Sequence, residues 1–348
     1  MTIRVGLIGV GRIGAIHAAT LRDLGASVLI ADADAARAAA VATELGVDRA
    51  ADTDTLFTAG VDAVVIAAAT DSHPGLILRS VRAGIPVFCE KPVAVDLAGT
   101  RAVVAELAQS PVPVQIGFQR RFDPGYRAAR DLVRTGALGR IHTVRATTLD
   151  PAPPPAHYVS RSGGLFRDCG VHDFDIVRWV SGREVREVMA FGSDCGAEYI
   201  RAAGDLDTAS VLLRLDDETL VTVSLTRHNG PGYDVRLELL GTTGNATVGL
   251  DRHTPLHPAQ PDDEIPSATP YSSFLQRFER AYHDELAAFL DVAKGNTGNP
   301  CPPTEALAAF TVAEACERSA RERRVVTTDE CRAMRQPPST ATHNRPVW

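Results

Sequence analysis

Short apolar runs that alternate with helical patterns up to residue 118, and strand patterns at hairpin spacing after it, predict an α/β protein. An N-terminal doubly wound parallel sheet is expected, followed by an α+β part with a large, mostly antiparallel open sheet. A third observation sets the scale, since 348 residues suffice for two cores rather than one. The boundaries read as 1–118, 119–335 and a flexible tail at 336–348.

The first element is the apolar run Ile3 to Ile8. Gly9-Val10-Gly11-Arg12-Ile13-Gly14 follows, then a helical pattern from Ala15 to Leu24 closed by Gly25, then the run Ser27 to Ala31 ending at Asp32. Strand, glycine turn, helix and strand, with an acid 18 residues past the third glycine, is the arrangement that seats a dinucleotide. A turn without side chains lets the backbone approach a pyrophosphate, whose charge the helix N-terminus favours. Asp32 would accept the adenosine ribose hydroxyls and repel a 2′-phosphate. Ala33 and Asp34 follow it rather than an Arg, so NAD is expected over NADP. Asp32 also suits a helix N-cap, a role that Asp34 can take instead.

Helix Asp34 to Leu45, a short strand near Arg49 to Ala51 and helix Asp54 to Thr58 lead to the buried strand Ala63 to Ala68. Ala69, Thr70 and His73 then stand at the carboxyl end of a strand, where doubly wound sheets bind ligands, and are expected on the nicotinamide side of the cofactor. His73 otherwise reads as a helix-start residue before Pro74. A helix to Arg82 stops at Gly84, and strand Pro86 to Cys89 runs into Glu90-Lys91-Pro92. The Lys91 ammonium would face the same crevice and stabilise alkoxide charge on a substrate oxygen. The plain alternative is an exposed loop lysine paired with Glu90. Helix Leu97 to Gln109 and strand Val112 to Gly117 complete the first sheet.

The polar turn Phe118 to Pro124, a helix from Tyr126 to Thr135 and strand Ile141 to Leu149 open the second part. The proline-rich run Asp150 to Pro155 cannot enter a sheet interior and could wall one side of a pocket. After Gly163-Gly164 a helix from about Leu165 would stack Asp168 and His172, at i and i+4, on one face. A carboxylate so placed can fix the ring and support the charge an imidazole acquires with a proton. The pair is either a proton-handling site or a surface contact. Phe174, Val177 and Val180 make an inward stripe ending at Gly182.

Strands Val185 to Ser193, Thr208 to Leu215, Thr219 to Thr226, Tyr233 to Gly241 and Asn245 to Leu250 follow without the helices that parallel pairing needs. Val221, Val223 and Leu225 read as part of an oligomer surface. The polar stretch Asp251 to Pro270 is expected as a loop, before helices Phe274 to Lys294 and Thr304 to Arg321 and a last edge strand Arg324 to Thr327.

A net charge of -7 with scattered Arg gives no basic stripe for nucleic acid. No apolar run reaches the roughly 18 residues of a membrane span, and no secretory leader is apparent, so a cytoplasmic protein without a membrane partner is expected. The six cysteines, at 89, 169, 195, 301, 316 and 331, show no C-x-x-C spacing, so neither a metal nor a disulfide framework is expected. Cys169 lies between Asp168 and His172.

Gly9 to Gly14, Cys89-Glu90-Lys91-Pro92, Gly117-Phe118-Gln119-Arg120-Arg121-Phe122 and Gly163-Gly164 through Asp168 to His172 together resemble the glucose-fructose oxidoreductase, inositol dehydrogenase and rhizopine catabolism (Gfo/Idh/MocA) family, from Ile3 to about Thr328. The resemblance implies a Rossmann domain that binds NAD through Gly9, Gly11, Arg12, Ile13, Gly14, Asp32, Ala69, Thr70, His73, Glu90 and Lys91. It implies a C-terminal domain whose open sheet forms dimers or tetramers, and a catalytic triad of Lys91, Asp168 and His172. The turn at 120–126 and the helix at 173–179 are most similar to the inositol dehydrogenases of that family, which carry Asn where Asp150 aligns. Asp150, His157, Asp175 and Tyr233 are then implied substrate contacts beside the triad. The activity implied is NAD-dependent oxidation of a ring secondary alcohol of a cyclic polyol, myo- or scyllo-inositol. The same residues leave open an NAD(P)-dependent sugar or glycoside C3 dehydrogenase, a keto-polyol reductase, and a non-catalytic NAD-binding sensor.

Overall fold

A computed structural model describes residues 2–194, 196–256, 259 and 268–333. The tail expected at 336–348, Cys195 and the middle of the loop at 251–270 lie outside them.

Strands β1 (Arg4–Ile8), β2 (Ser27–Ala31), β3 (Asp48–Arg49), β4 (Ala63–Ile66), β5 (Val87–Glu90) and β6 (Val114–Gly117) form a parallel sheet in the order β3-β2-β1-β4-β5-β6. The order reverses between β1 and β4, and the crevice above their carboxyl ends is where such sheets take ligands. All four residues of β4 are buried because crossover helices cover both faces of a parallel sheet. Short acids start the helices: Asp34 accepts from the N–H groups of Ala36 and Arg37, Asp96 from Gly99, and Asp123 from Gly125 and Tyr126.

The second sheet holds β7 (Ile141–Leu149), β8 (Val185–Ser193), β9 (Thr208–Leu215), β10 (Leu220–Thr226), β11 (Asp234–Gly241), β12 (Asn245–Val248) and β13 (Val326–Thr327). Its order is β12-β11-β7-β10-β9-β8-β13, antiparallel except between β7 and β10. Helices Val171–Ser181 and Pro303–Glu322 cover one face. Val221, Val223 and Leu225 point into that covered face and are buried, which corrects their reading as an oligomer surface. Alternation along β10 sends Leu220, Thr222 and Ser224 outward instead. The open face thus carries Leu220, Leu212 and Phe191, each more than half exposed.

The helix expected over Phe274 to Lys294 is two helices, Phe274–Arg277 and Glu279–Ala293, divided at Phe278. Leu286, Phe289 and Leu290 of the second pack into the same apolar cluster as Val5, Leu7 and Phe88 of the first sheet, with Phe88 and Phe289 rings 5.7 Å apart. Late sequence therefore completes the early sheet's core. Helices Ala156–Ser162 and Glu198–Ala202 have no counterpart in the sequence reading. Cys89, Cys301, Cys316 and Cys331 are buried. Among the described residues, no helix is long and apolar enough to cross a membrane.

Candidate active site

A cavity of about 750 Å³ runs from the glycine turn to the second sheet. At its first end Gly11, Arg12 and Ile13 line the wall. A Cβ on Gly14 would collide with the Gly9 carbonyl oxygen, and one on Gly9, whose φ is +91°, would stand 2.6 Å from the backbone of Ala68. At Gly11 a Cβ would meet nothing within 4 Å, so the turn offers open backbone on the side that a pyrophosphate needs. Asp32 takes the N–H of Val10 at 2.7 Å and of Asp34 at 2.8 Å. Burial pushes its pKa up, yet those two N–H groups and Arg37 hold it below the usual value.

Arg37 was not anticipated. It stands one turn into helix Ala35–Leu45, half exposed, with Nη2 3.0 Å from Asp32. Asp32→Ser would remove the carboxylate that repels a 2′-phosphate and free this guanidinium to meet one. The ratio of kcat/KM with NADP to that with NAD is expected to rise at least about tenfold, measured by steady-state kinetics with each cofactor.

Thr70 and His73 line the next part of the cavity. Ala69 does not, and its carbonyl accepts from Ser72. His73 is buried, with ring nitrogens 2.8 Å from the Pro92 carbonyl oxygen and 3.0 Å from that of Ala68. Its ring is therefore wedged between the loop after Lys91 and the end of β4, each nitrogen facing a backbone carbonyl rather than a cofactor. Glu90 also lines the cavity, but its partner is the buried His17, Nε2 to Oε1 at 2.7 Å, and not Lys91. His17 sits inside the first helix of the sheet, and no spacing rule singled it out.

Lys91 crosses to the second half of the molecule. Its Nζ donates to the Asp168 carbonyl oxygen at 2.9 Å and to Oδ1 at 3.2 Å. The Tyr158 hydroxyl donates to the same Oδ1 at 2.8 Å, and Nη2 of the buried Arg227 lies 3.7 Å from Oδ2 and 3.3 Å from Asp205. His172 lines the cavity with its ring edge on Phe118, centroids 5.8 Å apart, and neither ring nitrogen has a hydrogen-bond partner among the described residues. The expected Asp168–His172 bond is therefore corrected to an Asp168–Lys91 bond. The cause is local: Phe166–Gly170 is a π turn, and the α-helix begins only at Val171. A wider turn breaks the i, i+4 stacking that an α-helix would impose. Burial, then the charges of Lys91 and Arg120, push the His172 pKa well below 6.5.

At the far end Asp150, His157 and Tyr233 line the cavity, beside the wall made by Pro151 and Pro153 to Pro155. The Tyr199 hydroxyl holds that wall through the Pro154 carbonyl at 2.9 Å. The Cys169 thiol faces Asp150, Sγ 3.7 Å from Oδ2. Burial first, then the Asp168 charge, raise the Asp150 pKa to about 6, partly offset by Arg227.

Asp175 is not on this wall. Arg121 grips it at 2.6 and 2.8 Å, both side chains buried, so its reading as a substrate contact is corrected to a structural ion pair. Arg120 pairs likewise with Asp173 at 2.7 Å, and Gln119 to Phe122 of the turn read as polar are buried. Asp175→Ala should cost about 3 kcal/mol of stability, because it removes the bidentate partner of the buried Arg121 and leaves Glu305, at 2.9 Å, as its remaining carboxylate, and denaturant unfolding measures it.

The profile described as oxidoreductase family, NAD-binding Rossmann fold, matches residues 3–118, and that of the GFO/IDH/MocA C-terminal domain matches residues 126–247. A myo-inositol dehydrogenase of Streptomyces leeuwenhoekii is 39% identical over 320 residues, 91% of this chain and 97% of that protein. A myo-inositol 2-dehydrogenase of Thermotoga maritima is 34% identical over 94% of this chain and 99% of its own. The crystal structure of a scyllo-inositol dehydrogenase from Lactobacillus casei with bound NAD(H) and scyllo-inositol superposes with a TM-score of 0.85 at 30% identity, covering 94% of this chain and 100% of that one.

Proposed function

The chain belongs to the GFO/IDH/MocA family of NAD-binding oxidoreductases, and from that premise we propose that it oxidises a ring secondary alcohol of myo- or scyllo-inositol to the ketone. The observation that carries the reading is that Lys91, Asp168 and His172 meet in one cavity with the glycine turn. Gly11, Arg12 and Ile13 would hold the pyrophosphate of NAD and Asp32 its ribose, and the bound nicotinamide supplies the hydride acceptor.

Lys91 has three N–H donors and spends two on Asp168. The third binds the substrate oxygen and offsets the charge it gains. His172 takes the hydroxyl proton, and since burial keeps its ring neutral it is ready as a base at neutral pH. Asp168 works on the lysine, not the imidazole, with Tyr158 and Arg227 fixing the carboxylate. Asp150, His157 and Tyr233 bind the ring away from the reacting carbon.

A panel of inositols, free sugars and glycosides, read by NADH formation, tests this. Oxidation of an inositol with kcat/KM at least about tenfold above any sugar supports it. Sugars oxidised in place of inositols would move the substrate to the sugar class. NAD bound without turnover of any member would make the chain a sensor.

The open face with Phe191, Leu212 and Leu220 supports self-association as a dimer or tetramer, which light scattering on the purified protein measures. The free thiols of Cys89, Cys169, Cys301, Cys316 and Cys331 support a reducing, cytoplasmic setting.

A further inference from the structure

The charged side chains at the substrate end of the cavity are paired with one another, save one. Lys91 is held on Asp168, Arg120 on Asp173, and Arg227 lies between Asp168 and Asp205. Asp150 lines the same wall, and its carboxylate forms no ion pair with any described Lys, Arg or His. Its side-chain partner is the Cys169 thiol, a weak neutral donor. Burial, then Asp150 and Asp168, push that thiol's pKa well up, so it stays protonated and brings no opposite charge.

The backbone beneath Asp150 is fixed on both sides. Its N–H donates to the Thr226 carbonyl at 2.9 Å, and its carbonyl accepts from Asn229 at 2.8 Å. The carboxylate is therefore presented from a rigid strand end. Three cations, Lys91, Arg120 and Arg227, stand against four carboxylates, Asp150, Asp168, Asp173 and Asp205, which leaves one negative charge in excess. A mostly buried carboxylate whose nearby cations, Arg227 and Arg120, offset its burial only in part and form no ion pair with it gains from a ligand that brings a charge into contact. A hydroxyl offers it one neutral donor, whereas an ammonium offers three donors and the missing charge.

We propose that Asp150 makes this pocket select a cyclitol that carries an amine, with the ammonium group seated on the Asp150 carboxylate while a ring hydroxyl faces Lys91 and His172. The inference rests on the dehydrogenase reading and narrows its substrate class. An asparagine at this position would offer an acceptor without the charge.

The test measures kcat/KM of the NAD-loaded enzyme for scyllo-inositol, for scyllo-inosamine, in which one hydroxyl is an amine, and for its N-acetyl derivative, which keeps the bulk and loses the charge. The amine is expected to exceed both by about tenfold or more. D150N should abolish that preference. D150S is the second variant, and NAD binding with thermal unfolding checks that both are folded. Calorimetry of the amine on the enzyme–NAD complex runs alongside, and binding about tenfold tighter than scyllo-inositol also supports the inference. An enzyme that oxidises scyllo-inositol but neither oxidises nor binds the amine better, or whose preference survives D150N, overturns it and leaves the dehydrogenase reading intact. Failure to oxidise any cyclitol, with NAD bound, overturns both.

Discussion

His172→Ala lowers turnover by about 100- to 10,000-fold, the range a positioned proton acceptor contributes, while NAD affinity stays within about twofold. The two readouts separate because the ring touches Phe118 and the cavity, whereas the glycine turn lies at the opposite end. Neither ring nitrogen is committed to the protein among the described residues, so truncation breaks no hydrogen bond and the fold survives. Single-turnover kinetics with tritium-free and deuterated substrate would show hydride transfer slowed in the variant. An alanine enzyme that turns over like the parent would remove the imidazole from the chemistry. The pH profile gives an independent view. A base must be unprotonated to act, and the folded-state pKa of His172 lies well below 6.5, so activity should persist as pH falls through 6.5 and fade only lower. An acid limb centred at or above 6.5 would place the base elsewhere.

Lys91→Met is expected to lower kcat by about 100- to 1,000-fold, as loss of an oxyanion-type donor does. The methionine keeps the length of the stem and removes the ammonium, leaving Asp168 with Tyr158 and Arg227 as partners. Lys91→Arg should not restore the rate, because a planar fork cannot point one proton at Asp168 Oδ1, a second at its carbonyl and a third at the substrate. Small primary amines added to the methionine variant should return part of the activity. A loss under about fivefold would mean that the lysine only holds Asp168 in place.

Local signals made the first sheet legible. Gly9, Gly11 and Gly14 stand at fixed offsets between β1 and a helix, and Asp34 announces the next helix through its own side chain. Lys91 was legible for the same reason, since it directly follows a buried strand. Contacts that join distant positions were not. Tyr158 and Arg227 reach Asp168 from a short helix behind prolines and from the end of β10, and no periodicity relates those places. Asp175 was misplaced because a bidentate partner 54 residues earlier decides whether a helix acid faces a pocket or a guanidinium. The π turn is invisible to a 3.6-residue pattern, which is why Asp168 was turned towards His172 in the sequence and towards Lys91 in the structure. The alternation of β10 was read correctly in period and reversed in face, an error that one buried glycine, Gly170 against Leu225, settles.

Helix Glu279–Ala293 lends Leu286, Phe289 and Leu290 to a sheet that starts at Arg4. A ribosome has threaded most of the polypeptide before those three side chains exist, so the nascent nucleotide-binding half waits with a greasy strip uncovered, the kind of surface chaperones attend. A gene cut after the sixth strand would leave that strip bare for good.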